Sequence, residues 1–122
     1  MHRRWWLNDP DVLLPGPDIP IREAEFETLA TVTALTGGLL LVSGQLSQIS
    51  AHRLRQWSSL LPLIDRRPHL PDWIESPTPH RVRIDLENAL GPWNILAFFN
   101  WEDEPQKITL TLKDFNLAEN LN

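Results

Sequence analysis

Residues 5–14, WWLNDPDVLL, decide how the first half of this chain is interpreted. Two short apolar runs, at 5–7 and 12–14, flank the polar residues Asn8, Asp9, Pro10 and Asp11. Carboxylates two positions apart on a strand would share a face at about 6.5–7 Å, close enough to suggest a catalytic pair. Proline between two Asx residues is instead a strong turn signal, because an Asx side chain accepts hydrogen bonds from its own backbone. We therefore interpret Asp9 as a turn residue and not as half of a catalytic pair.

The stretch from 20 to 37, PIREAEFETLATVTALTG, predicts a helix with one buried face. Glutamates at three positions of its first half complement the helix dipole, and Gly37 is suited to the left-handed position that ends a helix. Apolar or small residues recur at spacings of three and four, which is the period of a helix face. The residues of this predicted face are Phe26, Leu29, Ala30 and Thr33.

A second strand and a second helix follow directly. Residues 39–42, LLLV, are four apolar residues without alternation, which is typical of a strand buried on both faces of a parallel sheet. Ser50 is a suitable N-cap for a helix from Ala51 to about Leu61. The segment 1–64 therefore predicts two strand–helix units of a parallel α/β architecture.

The pattern changes in the second half of the chain. Residues 65–80 hold four prolines and little periodicity, which favours a linker. Apolar residues then alternate with polar ones around 82–86, 95–101 and 108–112, which predicts three strands of an antiparallel β-domain over 81–122. Two strand–helix units leave sheet edges open, and three strands form a marginal sheet. We therefore expect an incomplete fold that belongs to something larger.

Composition excludes several classes of function. The 122 residues carry a net charge of −5, and the basic residues are scattered pairs, so nucleic-acid binding is not expected. No stretch approaches the roughly 20 apolar residues that span a bilayer, and the first residues lack the apolar segment of a signal peptide. We expect a cytoplasmic protein that neither binds a membrane nor uses a cofactor. With no cysteine and four scattered histidines, a metal site is not expected either.

The quoted residues resemble the melibiase-type α-galactosidases. Residues 3–15, RRWWLNDPDVLLP, are similar to the W-x-N-D-P-D signature on the seventh strand of that family's (β/α)8 barrel, and LLLVSGQLSQIS, at 39–50, to its eighth strand and the turn after it. A linker and an antiparallel C-terminal β-domain follow in the family. The resemblance implies α/β plus all-β architecture, namely the last two βα units of a barrel (1–64), a linker (65–80) and the first β-domain strands (81–122).

The resemblance also implies a function and a site. The chain would be the C-terminal part of a retaining glycoside hydrolase acting on α-galactosides, with Asp11 and Val12 lining the sugar pocket. The family's nucleophile and acid/base residue follow strands four and six, which have no counterpart here, so no catalytic residue is assigned and the chain alone is expected to be inactive. Its expected partners are the sugar and a complementing N-terminal chain or a second copy of itself. The alternative is a non-catalytic carbohydrate-binding or self-associating scaffold protein.

Two further features bear on this interpretation. The family's Ser-Asp-Asp-Leu or Ser-Asn-Asp-Leu turn is Ser-Gly-Gln-Leu at 43–46 here, so a loop at the active-site face lacks its carboxylate. Trp93 and Trp101 could stack on sugar rings, but their alternating positions on predicted strands favour a place in the core.

Overall fold

The computed structural model describes Trp5 and residues 7–117, and the chain divides into two compact units between Arg67 and Pro68. The described residues form a small α+β arrangement of two helices, one parallel strand pair and one antiparallel strand pair. The class expected from the sequence is confirmed at this coarse level. The division falls inside the segment 65–80 that we interpreted as a linker.

The first unit contains the expected alternation of strands and helices. Strand β1 is Val12–Leu13, helix α1 is Glu23–Thr36, strand β2 is Leu41–Val42, and helix α2 is Ala51–Ser58, with a short 3-10 helix at Leu46–Gln48 before α2. Strands β1 and β2 pair in parallel, Val12 with Leu41 and Leu13 with Val42. The unit therefore contains a β–α–β connection, although its first strand lies at 12–13 and the described residues of the 5–7 run are not a strand.

The ends of both helices follow from local sequence. Helix α1 ends at Gly37, whose φ of 66° lies in the left-handed region as expected. Helix α2 begins after Ser50, whose hydroxyl accepts a hydrogen bond from the Arg53 amide at 3.2 Å. Both predicted caps are confirmed, because each depends on a residue type with a specific backbone role.

The core of the first unit lies between β1 and the two helices. Leu13 and Phe26 are 1% and 0% exposed and cluster with Ala30. Because side chains alternate along a strand, Val12 and its register partner Leu41 lie on the opposite face of the pair, away from this cluster. Leu41 and Leu39 are about half exposed, so the described residues cover one face of the pair and not the other. The apolar residues packed against the cluster are Ile21, Leu40, Trp57 and Leu60.

The second unit contains an antiparallel hairpin. Strand β3, Arg81–Asn88, pairs with strand β4, Gly91–Phe98, from Arg81 opposite Phe98 to Asn88 opposite Gly91. Val82 and Ile84 are 8% and 0% exposed, so the alternation seen in the sequence does mark the buried face of β3. Phe99 and Phe115 complete the buried apolar residues of this unit.

The prediction of a third strand in the second unit is wrong. Residues 101–111 are not a strand, and a 3-10 helix follows at Leu112–Phe115. The guanidinium groups of Arg81 and Arg83 donate to the carbonyls of Asp114, Phe115 and Asn116. The backbone at 114–116 is therefore held against β3 by side-chain hydrogen bonds and not by the backbone hydrogen bonds of a third strand.

The Pro-rich segment after the boundary is part of the second unit. His69 and Arg83 exchange backbone hydrogen bonds of 2.8 and 2.9 Å, so the segment adds an isolated bridge to β3. Asp72 is 4% exposed and lies in a series of turns between this bridge and β3. The second part of the predicted linker is therefore folded.

Candidate functional site

The Asn-Asp-Pro-Asp segment, which directly precedes β1, forms a one-residue bulge against the segment that leads into β2. The Leu39 amide donates to the Asn8 carbonyl at 3.3 Å, and the Ser43 amide donates to the Leu13 carbonyl at 3.2 Å. Five residue steps lead from Asn8 to Leu13 but four lead from Leu39 to Ser43, so the segment that leads into β1 carries one extra residue. A bulge of this kind bends a strand and re-aims a side chain, and bulges are common beside active sites.

The extra residue is accommodated by an Asx turn. The Asp11 amide donates to Asp9 Oδ1 at 3.0 Å, and Asp11 has a φ of 67°, in the left-handed region. Asp and Asn tolerate this conformation better than most residues because their short polar side chains can form hydrogen bonds with the nearby backbone. Asp9 is therefore the turn residue that the sequence predicts, and Asp9 and Asp11 do not form a catalytic pair.

Gly38 packs against the backbone of the bulge at Asn8. A Cβ atom at Gly38 would overlap the carbonyl of Asn8, so only a residue without a side chain permits this approach. The Asn8 side chain also reaches the Thr36 carbonyl, with Nδ2 at 3.5 Å from the oxygen. The pair Gly37-Gly38 thus has two roles, since the first residue ends the helix and the second lets the bulge backbone approach.

The two sequence-predicted site residues lie next to each other but in different settings. Asp11 is exposed, and no group in the range 7–117 donates a hydrogen bond to its carboxylate. Val12 is half-buried and lies on the face of the strand pair away from α1. Asp11 directly precedes the paired residues of β1. Asp11 thus lies within the bulge and not at the C-terminal edge of the pair.

An open cavity of about 400 Å³ lies on the other side of the bulge. Asn8, Asp9 and Pro10 line it together with residues of α1 that include Leu29 and Val32. Asp11 and Val12 are not among its lining residues. The structure therefore separates the predicted sugar-pocket residues from this cavity.

The loop that follows β1 is held by one guanidinium. Arg53, in the first turn of α2, donates to the carbonyls of Ile21 at 2.9 Å and Gly16 at 3.3 Å. Its guanidinium carbon lies 4.8 Å from the centre of the Phe26 ring, and its side chain is only 12% exposed. The loop carrying Asp18 is fixed on both sides by these bonds. Sequence reasoning did not identify Asp18 or Arg53, although the loop directly follows the apolar run at 12–14.

In the second unit a buried carboxylate organises the start of β3. Asp72 accepts hydrogen bonds from the amides of His80 at 2.9 Å and Arg81 at 3.3 Å, and the Arg81 Nε lies 3.4 Å from Asp72 Oδ2. Burial acts to raise the pKa of Asp72, but the two backbone donors and the nearby guanidinium outweigh it and hold the pKa below its usual range. This cluster stabilises the turn that leads into β3.

The two tryptophans considered for sugar stacking are not core residues. Trp93 is 46% exposed and Trp101 is 41% exposed, which corrects the expectation that both lie in the core. Trp101 stacks on Phe99 with ring centres 5.1 Å apart and donates to the Pro79 carbonyl at 3.0 Å. It lies beyond the end of β4, where alternation no longer places a side chain inside.

Two classes of site are not found in the part of the chain that the structure describes. No group of three or more His, Cys, Asp or Glu side chains between 7 and 117 could hold a metal ion. Of the three described histidines, His52 and His69 each lie 3.2 Å from one carboxylate oxygen, of Glu23 and Asp85. The helices α1 and α2 are not long and apolar enough to cross a membrane.

Comparison with known proteins leaves the family open. No protein-family model matches the chain, and no curated protein shows significant similarity to it. Functional inference therefore rests on the bulge, on the strand pair and on the residues around them.

Proposed function

We propose that this chain contributes the last two βα units of a (β/α)8 barrel and the first strands of a β-domain to an α-galactosidase-like retaining glycoside hydrolase. In this proposal Asp11 and Val12 contact the sugar, and the two catalytic carboxylates come from strands that the chain does not contain. A retaining mechanism needs both carboxylates about 5–5.5 Å apart, so the chain by itself does not hydrolyse glycosides. The cytoplasmic location expected from the sequence stays part of the proposal.

The observation that carries the proposal is the uncovered face of the β1–β2 pair. Leu13 packs toward α1, while Val12, Leu39 and Leu41 lie on the face that the described residues leave open. A parallel sheet normally has both faces covered, and in a (β/α)8 barrel the face away from the helices fills the interior. The apolar open face and the β–α–β connection are what two adjacent units of such a barrel require.

The bulge supports the role assigned to Asp11. Its carboxylate is exposed and has no partner between residues 7 and 117, and the Asx turn with Asp9 fixes the Asp11 backbone. An exposed carboxylate without a protein partner is available to accept hydrogen bonds from sugar hydroxyls. Asp11 meets this condition, and Val12 follows it on the open apolar face.

Reconstitution tests the proposal. The segment encoded directly upstream of the Met1 codon is co-expressed with this chain, and hydrolysis of an aryl α-galactoside is measured. We expect activity from the combination and none from the chain alone. Replacing Asp11 by Ala removes hydrogen bonds to a charged group, worth about 1.5–3 kcal/mol, and should lower kcat/KM about 10–100-fold. The matched control is Glu27→Gln, which changes an exposed carboxylate on α1.

Two results would refute the proposal. Hydrolysis by the chain alone would show that its own residues include a catalytic pair. An inactive combination, or one whose activity does not depend on Asp11, would remove the assigned sugar contact.

A second function is favoured by the same uncovered face. Exposed leucines at 39 and 41 and open strand edges are also what a self-associating scaffold protein would present. Sedimentation equilibrium of the purified chain separates the two candidates. A compact oligomer that unfolds cooperatively supports the scaffold, and a monomer that becomes compact only with the upstream segment supports the hydrolase.

A further inference from the structure

The carboxyl ends of β1 and β2 meet at one edge of the first unit, and two loops leave from it. The loop after β1 runs from residue 14 to residue 22, and the segment after β2 runs from residue 43 to residue 50. Ligands of parallel α/β folds bind outside the carboxyl ends of the strands. A contact residue on this edge is therefore expected in one of these two loops.

The two loops approach each other at Gly16. The position that a Cβ atom of Gly16 would take lies 3.6 Å from Asp18 Cγ and 3.8 Å from the Gln45 amide nitrogen. Both Asp18 and Gln45 are exposed. Within residues 7–117, no group donates to the Asp18 carboxylate and no group accepts from the Gln45 N–H.

We propose that the Asp18 carboxylate and the Gln45 N–H form a contact site for sugar hydroxyl groups at this edge, distinct from Asp11. The inference rests on the proposed function and adds a second group of residues that contacts the same sugar substrate. A hydroxyl group both donates and accepts a hydrogen bond, so an acceptor and a donor in neighbouring loops can be satisfied by the hydroxyls of one ring.

The Asp18 loop is rigid enough for this role. Arg53 binds carbonyls on both sides of Asp18, at Gly16 and at Ile21, and the Ile21 amide donates to the Ile19 carbonyl at 2.8 Å. A binding group held by such contacts loses little freedom when a ligand arrives. These bonds fix the loop backbone and leave the Asp18 carboxylate without a partner.

The loop after β2 lacks the carboxylate that the resemblance implies for its turn. The turn at 43–46 carries Gly44 where the resemblance implies Asp or Asn, and Gln45 where it implies Asp. Asp18 brings a carboxylate beside this turn from the neighbouring loop. The edge thus keeps an acidic acceptor, supplied by a different part of the chain.

A sugar titration followed by amide NMR tests the inference on the chain co-expressed with the upstream segment. Methyl α-galactoside is added to 15N-labelled protein, and shifts at Asp18 and Gln45 are compared with those at Asp11 and Val12. We expect saturable shifts at both pairs. Asp18→Ala should weaken binding about tenfold, the effect of one hydrogen bond to a charged group, whereas Glu27→Gln should leave the Kd unchanged.

The outcomes separate this inference from the proposed function. Shifts at Asp11 and Val12 without shifts at Asp18 and Gln45 would overturn the inference and leave the proposed function standing. Shifts at Asp18 and Gln45 alone would support the new site and remove the role given to Asp11. No saturable shift at either pair would overturn both, and an unchanged Kd in Asp18→Ala would overturn the inference even when shifts occur.

Discussion

Replacing Arg53 by methionine tests whether one guanidinium holds the first unit together. The Arg53 side chain is 12% exposed and bonds to the carbonyls of Ile21 and Gly16 while lying over the Phe26 ring. Methionine keeps a long side chain against the ring but has no donor. The two loop carbonyls then lose their charged partner.

The expected loss of stability follows from these contacts. Each hydrogen bond from a charged donor contributes about 1.5 kcal/mol at the low end of its range, and the cation–π contact adds about 0.5–1 kcal/mol, part of which methionine retains. The ion pair with Glu23 adds little, because the Glu23 side chain is 48% exposed. We therefore expect Arg53→Met to lower the free energy of unfolding of the first unit by about 3 kcal/mol, which raises its opening equilibrium about 150-fold.

Amide hydrogen exchange measures this change within one sample. Peptides from α1 should exchange about 150-fold faster in Arg53→Met, while peptides from β3 and β4 provide an internal reference in the second unit. Arg55→Met, in the same helix but with an exposed side chain, is the matched control and should change α1 exchange by less than about threefold. Equal effects of the two substitutions would refute the role assigned to Arg53.

Two further substitutions test the bulge and the buried carboxylate. Gly38→Ala should lower the free energy of unfolding in urea by about 1–3 kcal/mol, because its Cβ would overlap the Asn8 carbonyl. Ser47→Ala, at an exposed position, is the control. A loss of stability in Gly38→Ala no larger than that in Ser47→Ala would contradict the close approach of Gly38 to Asn8. Asp72 has a folded-state pKa below the unfolded value of about 3.9, so its stabilisation is present above that value and is lost as the pH falls through the folded pKa. Asp72→Asn should therefore destabilise the second unit at pH 7 and flatten its acid unfolding curve below about pH 4, whereas Glu102→Gln should leave the curve unchanged.

Local sequence was sufficient to predict helix ends and turns at positions where the backbone conformation requires a particular residue type. Gly37 ends α1 in the left-handed conformation, Ser50 caps α2, and Asp9 closes the turn before β1. Alternation likewise identified the buried face of β3, including Ile84. These features depend on contacts within a few residues, or on a period that one element imposes by itself.

The alternation of apolar residues gave wrong predictions where contacts with residues distant in sequence determine the structure. The alternation at 108–112 satisfies the pattern of a strand, but Arg81 and Arg83 bind the carbonyls that follow it, and no strand forms there. Trp101 continues the alternation of β4 yet lies past its last residue and is 41% exposed. Alternation of apolar residues with a period of two is compatible with any extended chain. A strand forms only where a neighbouring strand supplies the backbone hydrogen bonds.

The sequence by itself determined the order of elements from β1 to β4, the C-terminal end of α1, the start of α2 and the turn at Asp9, because these follow from backbone preferences and short-range hydrogen bonds. Only the tertiary structure decided that Asp11 lies in a one-residue bulge, since the extra residue is visible only against Leu39 and Ser43, which flank β2. Only the tertiary structure placed Asp18 beside Gln45, because Arg53, 35 positions further along the chain, closes the loop that carries it. Contacts between residues so far apart depend on how whole elements pack, which no local pattern encodes.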